Sequence, residues 1–192
     1  MIYFGLGVGA GFADFYHDTP AVLFGLENIV DCNWLTYPTL SGLLAHEMGH
    51  LYHFLIRGED NESIKDKIKH KTKYWDLYEE GFAMRMEHEF LQKESWHMVA
   101  SNENWLPWCK ENTHYLAKLF LDYIKNGKKI NDFFGSWLNI SGYSQTGYFL
   151  GYELIKQLEN SHYTLEEIGL FSDDDLDNIV PSLLENIKQN FE

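Results

Sequence analysis

The pentapeptide His46-Glu47-Met48-Gly49-His50, set in the apolar stretch SGLLAHEMGHLYHFLIRG, constrains this chain more than any other feature. Residues four apart lie on one face of an α-helix, so His46 and His50 can offer two imidazoles to one metal ion. Glu47 sits beside them, where a carboxylate takes a proton from a water that the metal activates. The flanking residues are apolar or small, which places these polar groups on a largely buried helix. Buried imidazoles and carboxylates need partners, and a metal supplies one. Zinc is the expected ion, because a catalytic zinc takes three protein ligands of this kind and leaves a position for water. A chance match in a chain with nine histidines would instead predict no tight metal at all.

At 192 residues the chain is one domain's worth of sequence, and residues 1–192 read as a single domain. A hydrophobic content of 45% with 16% aromatics argues for a well-packed core. The formal charge of −14 sets the protein against nucleic acid and anionic membranes, so neither is expected as a partner. Cys32 and Cys109 do not form a disulfide framework and neither lies in a CxxC pair, which favours two reduced thiols in a cytoplasmic protein. The N-terminal MIYFGLGVGAGF lacks the basic region of a signal peptide and is too short to span a bilayer.

Along the chain, Gly5, Gly7, Gly9 and Gly11 alternate with apolar residues. A GxGxxG reading fails because Phe12 stands at the last glycine position, leaving a strand or strand pair with close backbone approach. Asp14 to Pro20 reads as a polar turn, and Ala21 to Ile29 as a strand ending in Glu27 and Asn28. The metal helix is expected from Thr39 to Arg57, capped by Thr39 or Ser41, with Gly58 just past its end. Residues 59–71 have the character of a charged surface insertion with a short helix. A second helix covers Lys73 to Lys93, apolar on more than one side and therefore flanked by protein. Further helices are expected from Trp105 to Lys125, Gly147 to Glu159 and Asp173 to Gln189, with an aromatic connection at Asp132 to Trp137. Six helices against a short N-terminal sheet make an α+β fold.

A third ligand has to come from elsewhere. The continuation HExxHxxGxxH fails, since Leu51, Tyr52, His53 and Phe54 follow the motif. His53 lies on a neighbouring side of the helix and suits packing or support of a ligand. The tandem Glu79-Glu80 in YEEGFA is the obvious source, because adjacent carboxylates in an aromatic-rich helix are otherwise costly to bury. Helical periodicity does not choose between the two. Asp76, Glu87 and His88 are weaker candidates. Gly81 and Ala83 would let this helix approach the metal helix closely.

YEEGFA resembles the NEGFA segment of the zinc aminopeptidases, in which the Glu before Gly binds zinc. That resemblance selects Glu80 as ligand and puts Glu79 where the aminopeptidases have Asn. The ordered trio HEMGH, EEGFA and GYFLGY, spanning roughly residues 20–160, resembles a family known chiefly as predicted zinc-dependent proteases of the gluzincin, or peptidase MA-like, group. The resemblance implies a zincin-like domain in which His46, His50 and Glu80 hold Zn²⁺ and Glu47 is the general base. Residues 51–79 separate His50 from Glu80, a longer spacing than in the aminopeptidases.

In related gluzincins a Tyr or His from a later helix stabilises the oxyanion. Tyr148 and Tyr152 lie at i and i+4 with Gly151 beside them. Tyr148 is the first choice, followed by Tyr143 and Tyr152. Gly25-Leu26-Glu27-Asn28 resembles the GAMEN strand of the aminopeptidases, which implies an edge strand that pairs with extended peptide and a Glu27 that meets its free amine. His17, His70, His97, His114 and His162 are scattered and read as structural or surface residues. The expected function is a zinc metallohydrolase acting on a peptide or protein substrate. A zinc-binding interaction protein that keeps the site without turnover is the alternative.

Overall fold

A computed structural model of the chain describes residues 9–62, 70 and 72–189, together with the backbone of Ile2 and Tyr3. The fold is α+β, with a small N-terminal sheet followed by mainly helical segments. The Cα framework resolves into two compact units, Met1–Lys69 with Phe82–Glu103, and His70–Gly81 with Asn104–Glu192.

The first unit begins with β1 (Ile2–Tyr3), β2 (Gly11–Tyr16) and β3 (Thr19–Gly25), in the order β1-β3-β2. β3 pairs antiparallel with β2 and parallel with β1. The turn between β2 and β3 is only His17-Asp18, not the longer polar turn that the sequence suggests. Both residues are left-handed, with φ of 47° and 61°, the backbone that a two-residue hairpin turn of the primed type requires. β3 also stops earlier than expected. The chain passes from Gly25 directly into helix α1 (Leu26–Asp31), so Glu27 lies in a helical first turn and not at a strand end.

Helix α2 (Tyr37–Ile56) carries HEMGH. Its N-cap is Thr36, one turn earlier than the sequence reading, with the Thr36 hydroxyl accepting from the Thr39 amide at 3.4 Å. Pro38 sits in the first turn, where its missing N–H costs nothing. Gly58 follows the helix at φ 65°, the left-handed stop that the sequence anticipates. Gly42, Leu43, Ala45, His46, Glu47, Gly49, His50, His53 and Phe54 form the buried side of α2. That side packs on β2, β3 and a single 3₁₀ turn at His97–Ser101.

Helix α3 (Trp75–Leu91) is unbroken and contributes its first two turns to the second unit and the rest to the first. It is buried on several sides, as its all-round apolar pattern predicts: Leu77, Tyr78, Phe82, Ala83 and Met84 are all fully buried. Against α2 it presents Ala83 and Met86 to Gly49. A Cβ built on Gly49 would lie 2.9 Å from the Met86 Cβ and 3.0 Å from the Ala83 backbone. Only glycine admits this crossing.

The second unit continues with α4 (Trp105–Glu111), α5 (Thr113–Lys125), α6 (Asn131–Phe134), α7 (Thr146–Asn160), α8 (Leu165–Gly169) and α9 (Asp173–Gln189). The single helix expected from Trp105 to Lys125 is two helices. At the break the Asn112 side chain donates to the Trp108 carbonyl and the Thr113 hydroxyl to those of Cys109 and Lys110, side-chain bonds that compete with the helical ladder. Gly81 does not serve the α2 contact. It faces Gly151 of α7, and a Cβ on either residue would run into the other's helix backbone. The Tyr78 hydroxyl adds a buried bond to the Ile168 carbonyl at 2.6 Å. α8 opens with a capping box between Thr164 and Glu167, a T-x-x-E signal present in the sequence.

Cys32 and Cys109 are free thiols, and burial pushes the Cys109 thiol far up. Among the described residues no helix is long and apolar enough to cross a membrane.

Candidate metal centre

His46 and His50 lie one turn apart on the buried side of α2, 3% and 7% exposed. Their Nε2 atoms stand 3.2 Å apart and their rings are nearly perpendicular, at 85°. Two nitrogens bonded to one tetrahedral zinc at about 2.0–2.1 Å are separated by about 3.3 Å. The imidazole pair therefore already has the spacing of two corners of such a site.

A candidate third donor stands on α3. One ligand atom from each of His46, His50 and Glu80 lies within 4.8 Å of the others. Two imidazoles and one carboxylate are the donor set of a hydrolytic zinc with a free position, so the residues fit the ion. The neighbouring Glu79 is differently occupied: its Oε2 accepts from the Trp75 indole at 3.1 Å. Of the two, it is Glu80 that has a carboxylate oxygen grouped with His46 and His50. Asp76 is exposed.

Glu47 is 6% exposed and meets the edge strand β2. A Cβ on Gly11 would come within 2.5 Å of Glu47 Oε1 and 2.9 Å of its Cγ and Cδ. The close backbone approach that the alternating glycines suggest is realised at Gly11, where the strand makes room for a carboxylate. Gly5 and Gly7 lie outside the described residues.

Behind the two imidazoles sits a polar cluster that sequence reasoning missed in part. Glu87 is fully buried, and its Oε2 is 2.8 Å from His97 Nδ1 while its Oε1 accepts from the Ser95 hydroxyl at 2.6 Å. Burial alone would raise the Glu87 carboxyl. The charge and hydrogen bond of His97, the charge of His46 and the Ser95 bond outweigh it and hold Glu87 below its ordinary value. His97, which reads in the sequence as structural or surface, is only 4% exposed, and the indole of Trp34 meets its ring edge-on at 4.8 Å. His88 bonds through Nε2 to the Ser95 carbonyl at 2.6 Å, and burial lowers its pKa against the pull of Glu87. His53 is 1% exposed with its ring 4.7 Å from Phe82, so it packs.

The remaining candidates have the following surroundings. Glu27 is half-buried on α1, and the strand leading to it, β3, is the middle strand of the sheet. β3 is paired on both sides and Leu26 to Asn28 are helical, so the edge-strand role expected of Gly25 to Asn28 fails, and among the described residues the terminal strand against α2 is β2. Tyr148 stands in the first turn of α7, its ring 6.1 Å from Phe134. Tyr143 stacks on Trp108 at 4.4 Å, and the Lys156 ammonium lies 5.4 Å over the ring of Tyr152. His70 stacks on Trp75 at 3.3 Å, and His17, His114 and His162 are exposed.

No protein-family model matches the chain, and neither does any curated protein or solved structure.

Proposed function

We propose that the protein is a zinc-dependent metallohydrolase of gluzincin type that cleaves peptide bonds. The observation that carries the reading is the convergence of His46, His50 and Glu80 donor atoms within 4.8 Å, with Glu47 buried beside them. Zinc, when bound there, supplies Lewis acidity that makes water nucleophilic near neutral pH and polarises a carbonyl. Glu47 takes the proton from the attacking water and delivers it to the leaving amine. Its carboxylate is held against the β2 backbone at Gly11, which restricts where that proton can go.

β2 supports a peptide as substrate. It is a terminal strand of the sheet among the described residues, and its backbone offers an extended chain a partner by strand addition, next to the general base. Tyr148 is assigned the stabilisation of the oxyanion, by resemblance to the later-helix tyrosine of gluzincins.

The test is Glu47→Gln in the zinc-loaded protein, assayed on a broad peptide library by mass spectrometry. Cleavage should fall by at least about 10²-fold, the scale of losing a general base, with zinc retained. An active Glu47→Gln enzyme would overturn the mechanism. Zinc-bound wild type that cleaves nothing would favour a protein that keeps the site without turnover.

A further inference from the structure

The cluster of His46, Glu87 and His97 shares one residue with the proposed ligand set and adds two buried polar groups beside it. A donor atom from each lies within 4.8 Å of the others, and all three residues are buried. The His46 and His97 ring centroids are 5.2 Å apart. The sequence of α2 is shaped around it. Gly42 stands one turn before His46, and a Cβ there would lie 2.8 Å from Glu87 Oε1, 3.1 Å from the His97 Cβ and 3.1 Å from Ser95 Oγ.

Two roles are open to such a group: a second metal site, or a support for the first. The hydrogen bonds decide. His97 directs Nδ1 at Glu87 Oε2 at 2.8 Å, and Ser95 donates to the other oxygen at 2.6 Å. An ion held by Glu87 and that nitrogen would have to break the first bond, whereas a support role uses both bonds as they stand. His46 meanwhile has its Nε2 turned to His50 at 3.2 Å, the orientation that the ligand set needs.

We propose that Glu87, by holding His97 against the His46 ring, is a positioning residue that orients the His46 imidazole. The inference rests on the metal reading given above. Carboxylates placed behind metal-binding histidines fix ring orientation and strengthen the ligand, and their loss weakens metal binding by about 10–100-fold. Gly42 is then the position that lets this carboxylate reach α2.

The experiment is zinc affinity by chelator competition on the full chain for wild type, Glu87→Gln, Glu87→Asp and Gly42→Ala. The visible spectrum of the cobalt(II)-substituted proteins and the metal-free melting curve are recorded alongside. Glu87→Gln keeps the size and loses the charge; zinc should bind about 10–100-fold more weakly and the cobalt bands should shift. Glu87→Asp, which restores the charge, should recover part of the loss. Gly42→Ala, which leaves every polar group in place, should weaken zinc in the same direction by displacing the carboxylate. Zinc affinity within about threefold of wild type in Glu87→Gln and Gly42→Ala, with only the melting curve altered, would overturn the inference and leave the ligand set standing, because that change is far below the loss expected of a supporting carboxylate. A wild type that takes up no zinc would overturn the metal reading and this inference together.

Discussion

Replacing Gly11 with alanine separates the chemistry of the site from its stability. The added Cβ would sit 2.5 Å from Glu47 Oε1. Ordinary contact begins near 3.4 Å, so the carboxylate must retreat by roughly 1 Å. The atoms in its way are the end of a flexible side chain, so the move costs about 0.5–1.5 kcal/mol of rotamer strain. Gly11 opens β2 without a positive φ, so alanine there returns about 0.4–1 kcal/mol by restricting the unfolded chain, which nearly cancels that cost. Stability should therefore change by less than about 1 kcal/mol. The rate should not be spared, because a misplacement of about 1 Å in a catalytic group costs up to about 10²-fold. The expected phenotype is wild-type zinc content, an almost unchanged urea midpoint, and kcat/KM on any cleaved peptide lower by about 10–100-fold, equivalent to about 1.4–2.7 kcal/mol of barrier. A folded, zinc-bound Gly11→Ala protein with undiminished kcat/KM would refute the placement of β2 against the general base.

Gly81→Ala should behave in the opposite way, because its Cβ runs into the backbone of Gly151, which cannot swing aside. Overpacking of this kind costs about 1–3 kcal/mol even after the helix gains an alanine, and a urea midpoint equal to wild type would contradict the α3–α7 contact. Gly49→Ala should likewise lower the midpoint, by pushing α3 away at Ala83 and Met86, and a midpoint equal to wild type would contradict this crossing. Glu87 carries a pH signature. Its folded-state pKa lies below the ordinary 4.5, so its stabilisation is complete above about pH 5 and is lost as pH falls through the folded value. The stability gap between wild type and Glu87→Gln should close toward acid, and a gap constant from neutrality to pH 3 would show that the charge contributes nothing.

The helix that carries HEMGH was legible because every level agreed on it. The motif, the apolar flanks and Gly58 all point to one buried helix, and only the cap shifted, to Thr36. α9 was equally plain, with bounds read at Asp173 and Gln189. Failures fall where a local pattern was shared by two elements. The run AVLFGLENI is apolar throughout, but it crosses from β3 into a six-residue helix too short to show its own period, and Glu27 changed element with it. The hairpin turn lacks the Asn-Gly or Asp-Gly pair that usually marks one, because His17 and Asp18 take the left-handed backbone instead. At the site, the residue types were visible and their partners were not. Glu79 and Glu80 are equivalent in a helical pattern, and only the grouping of a Glu80 oxygen with His46 and His50 separates them. The Glu87 cluster escaped because its members are spread over Gly42, Ser95 and His97, three positions that no short motif joins.

Zinc content tests the central claim most directly, measured by elemental analysis on protein purified without added metal, with Glu80→Ala in parallel. The account predicts about one zinc per chain in the wild type, as three converging donors require, and loss or marked weakening in the variant. Zinc retained in full by Glu80→Ala would contradict the ligand set, and a wild type free of zinc even after reconstitution would reduce HEMGH to coincidence.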